Sequence, residues 1–480
     1  MVVNVPPGAV AADLRSFLAA GDAANAARDW KRCQENYAQA LKLDPSLASI
    51  WVQYGHALKE QNAHQQAEAA YRRALEIQPG NWDNWLQLGH VLKLQGRLKQ
   101  ALVAYARAYE IDPEARDPQI ELAFLTRIDF AGLGPRKGDM LAPGRTRSWK
   151  FGAELGALLA RIAGLRHQGS QIRTVLPAGS IELGPKVAVF VHFDPAGRVR
   201  NFTLNYVRAL CETGAAIVFV SNCPALDPAD IAQLQPLCAA IIQRRNIGHD
   251  FGAVRDTLRQ LGLPRDNTDQ LIIANDSVYG PLQPLGPILD RIDFDKADLW
   301  GATDSWQQRY HLQSYFLVAG RRALTSAAWS RFWNRLPLVQ SRHWVITRYE
   351  IGLTQAALRG GLRCAALWDY NSLLKLLPPP EPPANYHAFA NTNPAEEARR
   401  GHLDRIRHAV VAHAPMNPTA ELWRQLLTNG FPFLKRELLR RNPARVADLA
   451  DWRDVVHSVS TADLAPIEQQ LRRELSDRVV

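Results

Sequence analysis

Residues 51–79 and 85–113 carry one pattern of apolar, small and polar positions, displaced by 34 residues. Trp51, Gly55, Ala67, Tyr71, Ala74 and Pro79 fall on Trp85, Gly89, Ala101, Tyr105, Ala108 and Pro113. One period earlier stand Phe17, Gly21, Cys33, Tyr37, Ala40 and Pro45. Within each unit the apolar residues recur at helical spacing in two stretches, which predicts a helix pair. Small residues let the two helices approach, an aromatic fills the gap between them, and proline closes the unit.

That period with those positions is the tetratricopeptide pattern. It predicts three repeats and a degenerate further helix at about 115–130, an all-α solenoid over 1–130. The work of such a surface is to hold a peptide or protein partner, or to serve structure alone. His56, Asn62 and His90 are expected to be exposed on it.

The pattern then changes. Residues 131–150 are rich in Gly, Pro and basic residues and read as a boundary, with a helical stretch at about 151–166. KVAVFVHF (186–193), AAIVFVSN (215–222), AAIIQRRN (239–246) and DQLIIANDSVYGP (269–281) open on continuous apolar runs suited to buried strands. Helical spacing separates them at 199–212, 228–238 and 251–261. Strand and helix in alternation predict an α/β domain over 185–443 with a mostly parallel sheet covered on both faces. A stiff PPPEPP stretch lies at 378–383, and 444–480 reads as a helical tail of no evident function.

Ligands of parallel sheets gather beyond the carboxyl ends of the strands, and three polar clusters fall there. They are His192 with Asp194, the run Arg245-Asn246-Ile247-Gly248-His249-Asp250, and Asn275-Asp276-Ser277. Cations, carboxylates and a helix N-terminus near Gly252 suit a phosphate-bearing ligand, with or without a divalent cation. No dinucleotide, P-loop or nucleophile-elbow motif is present in the sequence.

Composition narrows the picture. The 480 residues are 47% hydrophobic and 22% charged, as in globular proteins, with a net charge of +10. No stripe of cations with aromatic partners favours nucleic acid. The basic groups at 136–150 and 435–441 read as inert surface or as contacts for phosphates or a membrane carrying a lipid-linked acceptor. Five cysteines form no C-x-x-C pair and fit free thiols in a reducing cytoplasm, and the N-terminus reads as neither signal peptide nor anchor.

From RRNIGHDFGAVRD through IIANDSVYGP, DLWGATDS, HLQSYFLV, YEIGLTQAALRGG and GFPFLKRELL, the text resembles the rhamnan synthesis F family over roughly 185–443. That resemblance implies a bacterial glycosyltransferase of polysaccharide or O-antigen assembly with a GT-A-like, Rossmann-type domain. It implies a nucleotide-sugar donor, and Mg2+ or Mn2+ on the diphosphate. Asp194 would sit near the base, with Arg245, Asn246 and Asp250 on the nucleotide-sugar. Asp276 would hold the metal or diphosphate, and Glu350 would be the base of an inverting transfer. The motif around Asp276 has one carboxylate where two are usual, so Arg245 or Arg255 could neutralise the phosphates instead. Asp304 is the rival base, His311 and His249 could touch donor sugar and phosphate, and Trp300, Trp306, Trp329 and Trp333 could line an acceptor groove or be core. The acceptor would be a polysaccharide, a lipid-linked glycan, or a protein held by the solenoid. A non-catalytic scaffold and transfer of another phosphate-activated group are the competing readings.

Overall fold

The computed structural model describes residues 7–112, 168–378, 394–411 and 414–476 continuously, and isolated positions between 113 and 167. Most of the boundary at 131–150, of the helical stretch at 151–166, and of PPPEPP lies outside the described residues. The chain divides into two units, 1–130 with 378–412, and 131–377 with 413–480.

The first unit is built from helix pairs α1 (Pro7–Ala26) with α2 (Trp30–Leu43), α3 (Ala48–Glu60) with α4 (His64–Ile77), and α5 (Trp82–Leu94) with α6 (Leu98–Ile111). Tyr37, Tyr71 and Tyr105 are completely buried, each with its ring against the glycine of the partner helix. A Cβ on Gly21, Gly55 or Gly89 would stand 2.5, 2.6 or 2.3 Å from a ring carbon, so the repeat needs glycine there for room. The tyrosine hydroxyls meet the same position of each repeat: Asp22 at 2.7 Å, His56 at 2.9 Å and His90 at 3.1 Å. His56 and His90 are therefore half-buried partners of the repeat's own tyrosines, contrary to the exposure expected for them. Asn62 is exposed.

The helix Pro394–Val411 also packs against α6, and it buries His402, Ile406 and Val410. In sequence this segment falls within 185–443 and is expected in the second domain. Its apolar side belongs to the solenoid, whose last repeat would otherwise expose core.

The second unit is a mixed sheet with helices. Its strands are β1 (Ile172–Leu176), β2 (Lys186–His192), β3 (Ala216–Ser221), β4 (Ala240–Arg244), β5 (Gln270–Asn275), β6 (Val278–Tyr279), β7 (Leu299–Ser305), β8 (His311–Leu312), β9 (Phe316–Gly320), β10 (Cys364–Trp368) and β11 (Leu434–Lys435). The main sheet runs β1-β4-β3-β2-β5-β9-β7-β10, with β8 beside β7. β4, β3, β2 and β5 are parallel, while β9 is antiparallel to both β5 and β7. Val187–Val191 and Ile217–Val220 are essentially inaccessible, which explains their unbroken apolar text. Helices α7 (Asn201–Cys211), α8 (Pro228–Leu234) and α9 (His249–Leu261) follow β2, β3 and β4. A separate ribbon pairs β6 with β11, matching Val278 to Lys435 and Tyr279 to Leu434. Trp300, Trp306, Trp329 and Trp333 are all buried, and of the four Trp333 also lines a small cavity beside Asp250 and Asn275.

Candidate active site

Strands β2, β4 and β5 end at one edge of the parallel half, and the chain between β4 and α9 turns there. Gly248 has φ +80° and His249 φ +52°, so two left-handed residues bring the chain into the helix. A Cβ on Gly248 would stand 2.6 Å from Leu338 Cδ2. Below this turn lies a buried ionic cluster. Arg244, with no exposed surface, donates to Asp256 at 3.1 Å, Asn222 at 2.6 Å and the Ile247 carbonyl at 2.7 Å. Arg255 donates to the other oxygen of Asp256 at 2.8 Å and to the Leu336 carbonyl at 3.1 Å. Arg255, 1% exposed, is thus committed to the scaffold rather than to phosphates. On the outer side Gln340 accepts from the Gly248 amide at 3.0 Å and donates to the Asn246 carbonyl at 2.6 Å.

Asp250, in the first turn of α9, faces the end of β5. Asn275 donates to its Oδ2 at 3.0 Å and itself accepts from the Ser277 amide at 3.1 Å and hydroxyl at 2.6 Å. Those two donors fix which end of the Asn275 amide points at Asp250. Burial, then the charge of Asp276, push the Asp250 carboxyl up to about 7. Asp276 accepts from the Phe193 amide at 3.4 Å and pairs with Arg436 at 3.4 Å, both through Oδ2.

Glu350 ends a π-helical turn (Val345–Glu350) that runs into the helix Ile351–Arg359. Its Oε1 accepts from the Ser314 amide at 2.8 Å and hydroxyl at 2.9 Å. Its charge acts on both Asp250 and Lys435, so it faces the same cluster. Lys435, on β11, lies 3.5 Å from Ser277 Oγ and 4.6 Å above the Tyr315 ring. Burial lowers the Lys435 pKa, opposed by Glu350, Glu437 and Asp250. A small cavity beside Asp250, Asn275 and Ser314 is lined otherwise by apolar side chains, Val191, Phe251, Ile273, Leu317 and Trp333 among them.

The fold therefore brings Asp250, Asn275, Asp276 and Glu350 together with Ser314, Lys435 and Arg436. Ser314 carries no sequence signal of its own. The two cations were visible in the text as part of a basic tail, but only the β6–β11 pairing sets them beside the carboxylates.

The remaining site residues read from the sequence lie elsewhere or do other work. His192 is buried beneath the edge with Nδ1 3.5 Å from Cys223 Sγ, and burial lowers its pKa. Asp194 is spent on Arg200 at 3.0 Å and the Ala196 amide at 2.8 Å. Arg245 is exposed on the outside of the turn, and Asn246 keeps its side-chain oxygen buried without a hydrogen-bond partner. His249 is half-buried, its pKa lowered by burial, then by Arg342 and Arg244. Asp304, 4% exposed, accepts from the Tyr370 amide at 2.7 Å and supports the helix Tyr370–Lys375. The structure thus sets Asp304 against the start of that helix, while Glu350 is the carboxylate that faces Asp250 and Lys435. His311 is buried with Nδ1 at 2.9 Å from the Arg309 carbonyl, a structural contact.

The two units thus define a helical-repeat solenoid followed by a mixed sheet-and-helix domain. The pattern of the rhamnan synthesis protein F family matches residues 217–382, and tetratricopeptide patterns match 48–91 and 83–114. The chain carries a rhamnan synthesis protein F domain preceded by tetratricopeptide repeats. Virulence protein VirA of Vibrio anguillarum is 30% identical over 216 residues, 44% of this chain and 66% of its own. The uncharacterized protein y4gN of Sinorhizobium fredii is 28% identical over 193 residues, 39% of this chain and 50% of its own. The chain spans about half the length of one relative and 66% of the other. Similar solved structures include the tetratricopeptide domain of Arabidopsis OM64, at 22% identity and TM-score 0.23, covering 23% of this chain and 92% of that one. A mutant O-GlcNAc transferase of Thermobaculum terrenum aligns at 16% identity and TM-score 0.23, covering 54% and 45%. At those TM-scores neither likeness bears on activity.

Proposed function

We propose that the chain is a glycosyltransferase of polysaccharide assembly that uses a nucleotide-activated sugar. The observation that carries this is the meeting of Asp250, Asp276 and Glu350 with Lys435 and Arg436 at the carboxyl edge of β2, β4 and β5. Its parallel half followed by one reversed strand agrees with a GT-A-like domain. The family match favours polysaccharide synthesis over other phosphate-activated groups.

In this reading the donor's diphosphate lies against Lys435 and Arg436, and the sugar lies toward Ser314 and Glu350. A divalent cation would take two carboxylates at most from this site, since no group of three or more His, Cys, Asp or Glu side chains that could hold a metal is found among the described residues. Asp276 has no hydrogen bond to Oδ1 among the described residues, and burial, then the charge of Asp276, drives Asp250 toward neutrality against the opposing charges of Lys435 and Arg244. Mg2+ or Mn2+ held by these two carboxylates would stabilise charge on the leaving diphosphate. Glu350 is held through Oε1, so Oε2 remains for the acceptor hydroxyl. As that oxygen forms its bond to the anomeric carbon, its proton passes to Glu350, and the anomeric carbon–oxygen bond to the diphosphate breaks. The nucleoside diphosphate leaves with the bonding pair and the sugar is inverted. The solenoid holds a protein or peptide partner, either the acceptor itself or a component that presents a lipid-linked glycan at a membrane. No helix among the described residues is long and apolar enough to cross a membrane.

Calorimetry with a panel of nucleoside diphosphates and nucleotide-sugars, with and without Mg2+ or Mn2+, tests the reading. One base should be selected, binding should fall at least about tenfold in Asp276→Ala, and Glu350→Gln should bind as wild type without turnover. Failure of every ligand under every metal condition would return the domain to the scaffold reading.

A further inference from the structure

The tail beyond residue 443 reads in sequence as having no evident function, yet its helix reaches the site. Glu474, on the helix Ala465–Ser476, accepts from Arg436 at 2.7 Å through Oε1. Its Oε2 pairs with Arg440 at 2.6 Å and accepts from the Tyr279 hydroxyl at 3.4 Å. Arg436 is held on its other side by the Asp276 carbonyl at 2.7 Å and carboxylate at 3.4 Å. Its guanidinium lies over the rings of Phe202 at 5.0 Å and Tyr279 at 5.7 Å. One nitrogen, Nε, is buried without a hydrogen-bond partner. Arg436 is thus clamped between two acidic residues, one belonging to the site and one to the tail, with a donor left over.

We propose that Glu474 is a positioning residue for the donor: it fixes Arg436 beside Asp276 so that Arg436 and Lys435 together form the diphosphate-binding face. The inference rests on the transferase reading and adds the C-terminal helix to its machinery. An arginine on a flexible stem must be immobilised before it can bind an anion tightly, and a second carboxylate behind it does this without entering the site. Helix Ala465–Ser476 itself packs on α7, whose preceding strand β2 ends at the site, so the clamp is anchored in the domain.

The test uses the full chain and two probes, inorganic pyrophosphate and the nucleoside diphosphate selected above, titrated with and without Mg2+. Arg436→Gln should weaken both probes by about 10- to 100-fold, as for loss of a charge-assisted hydrogen bond. Glu474→Gln should weaken them by about 3- to 10-fold, Glu474→Asp should restore most of the loss, and Arg440→Gln should leave them unchanged. In the Arg436→Gln background, Glu474→Gln should add nothing. Unchanged binding in Glu474→Gln, or an equal loss with Arg436 already removed, overturns the positioning role while leaving the transferase reading intact. Absence of any binding to wild type overturns both. Should Glu474→Gln lower the unfolding temperature, the Glu474→Asp and double-variant titrations still decide between the outcomes.

Discussion

Asp250 and Asp304 show how one side chain takes opposite meanings from its surroundings. Both carboxyls are pushed up to about 7, and in both burial is the leading cause. Asp250 faces other carboxylates and a cavity, whereas Asp304 faces the amide of Tyr370 in the interior. A raised pKa means that the folded state holds a proton which the unfolded state has released, between the usual carboxylate value and about 7. Stability from Asp304 is therefore fully present at low pH and is lost as pH rises through about 7. Asp304→Asn keeps an acceptor for Tyr370 and removes the charge. It should raise stability at pH 8 by on the order of 2–4 kcal/mol and by little at pH 4, checked by denaturant unfolding across pH. A gain of equal size at both pH values would show that the charge is not the cause.

At the scale of elements, the solenoid is specified by contacts that each repeat reproduces, and the site by contacts that occur once. Gly89 meets the Tyr105 ring so closely that a methyl group would lie 2.3 Å from a ring carbon. Gly89→Ala should cost about 1–3 kcal/mol through overpacking, despite the better helix propensity of alanine. Thermal unfolding followed by circular dichroism would show it, and an unchanged or raised midpoint would mean the helices separate freely. The turn before α9 obeys no repeat. Its arginines looked alike in the text, yet Arg244 and Arg255 hold the turn from below while Arg245 points outward. Spacing alone cannot assign those directions, because the sheet beneath decides which side chain is covered.

Over the whole molecule the chain leaves the second unit after Leu377, contributes a helix to the first, and returns. Ile406, with no exposed surface, is the centre of that helix's buried side. Ile406→Asp should speed amide exchange in α5 and α6 by more than tenfold while β2–β5 keep their protection, as read by hydrogen exchange with mass spectrometry. Equal loss in both units would mean that they unfold together. The sequence by itself determined the solenoid, since each repeat states its own packing through glycine, tyrosine and proline at fixed offsets. It determined the buried strands as well, and the positions of Asn275 and Asp276 at the end of β5, because continuous apolar text followed by polar text marks where a strand leaves the core. Only the tertiary structure decided the mixed order of the sheet, the enclosure of Asp304 and the ownership of residues 394–411. It alone set Ser314, Lys435, Arg436 and Glu474 around the carboxylates. Those placements depend on pairings between segments as much as 195 residues apart, such as Tyr279 with Glu474, and no local pattern of polarity records which distant strand or helix will be the neighbour.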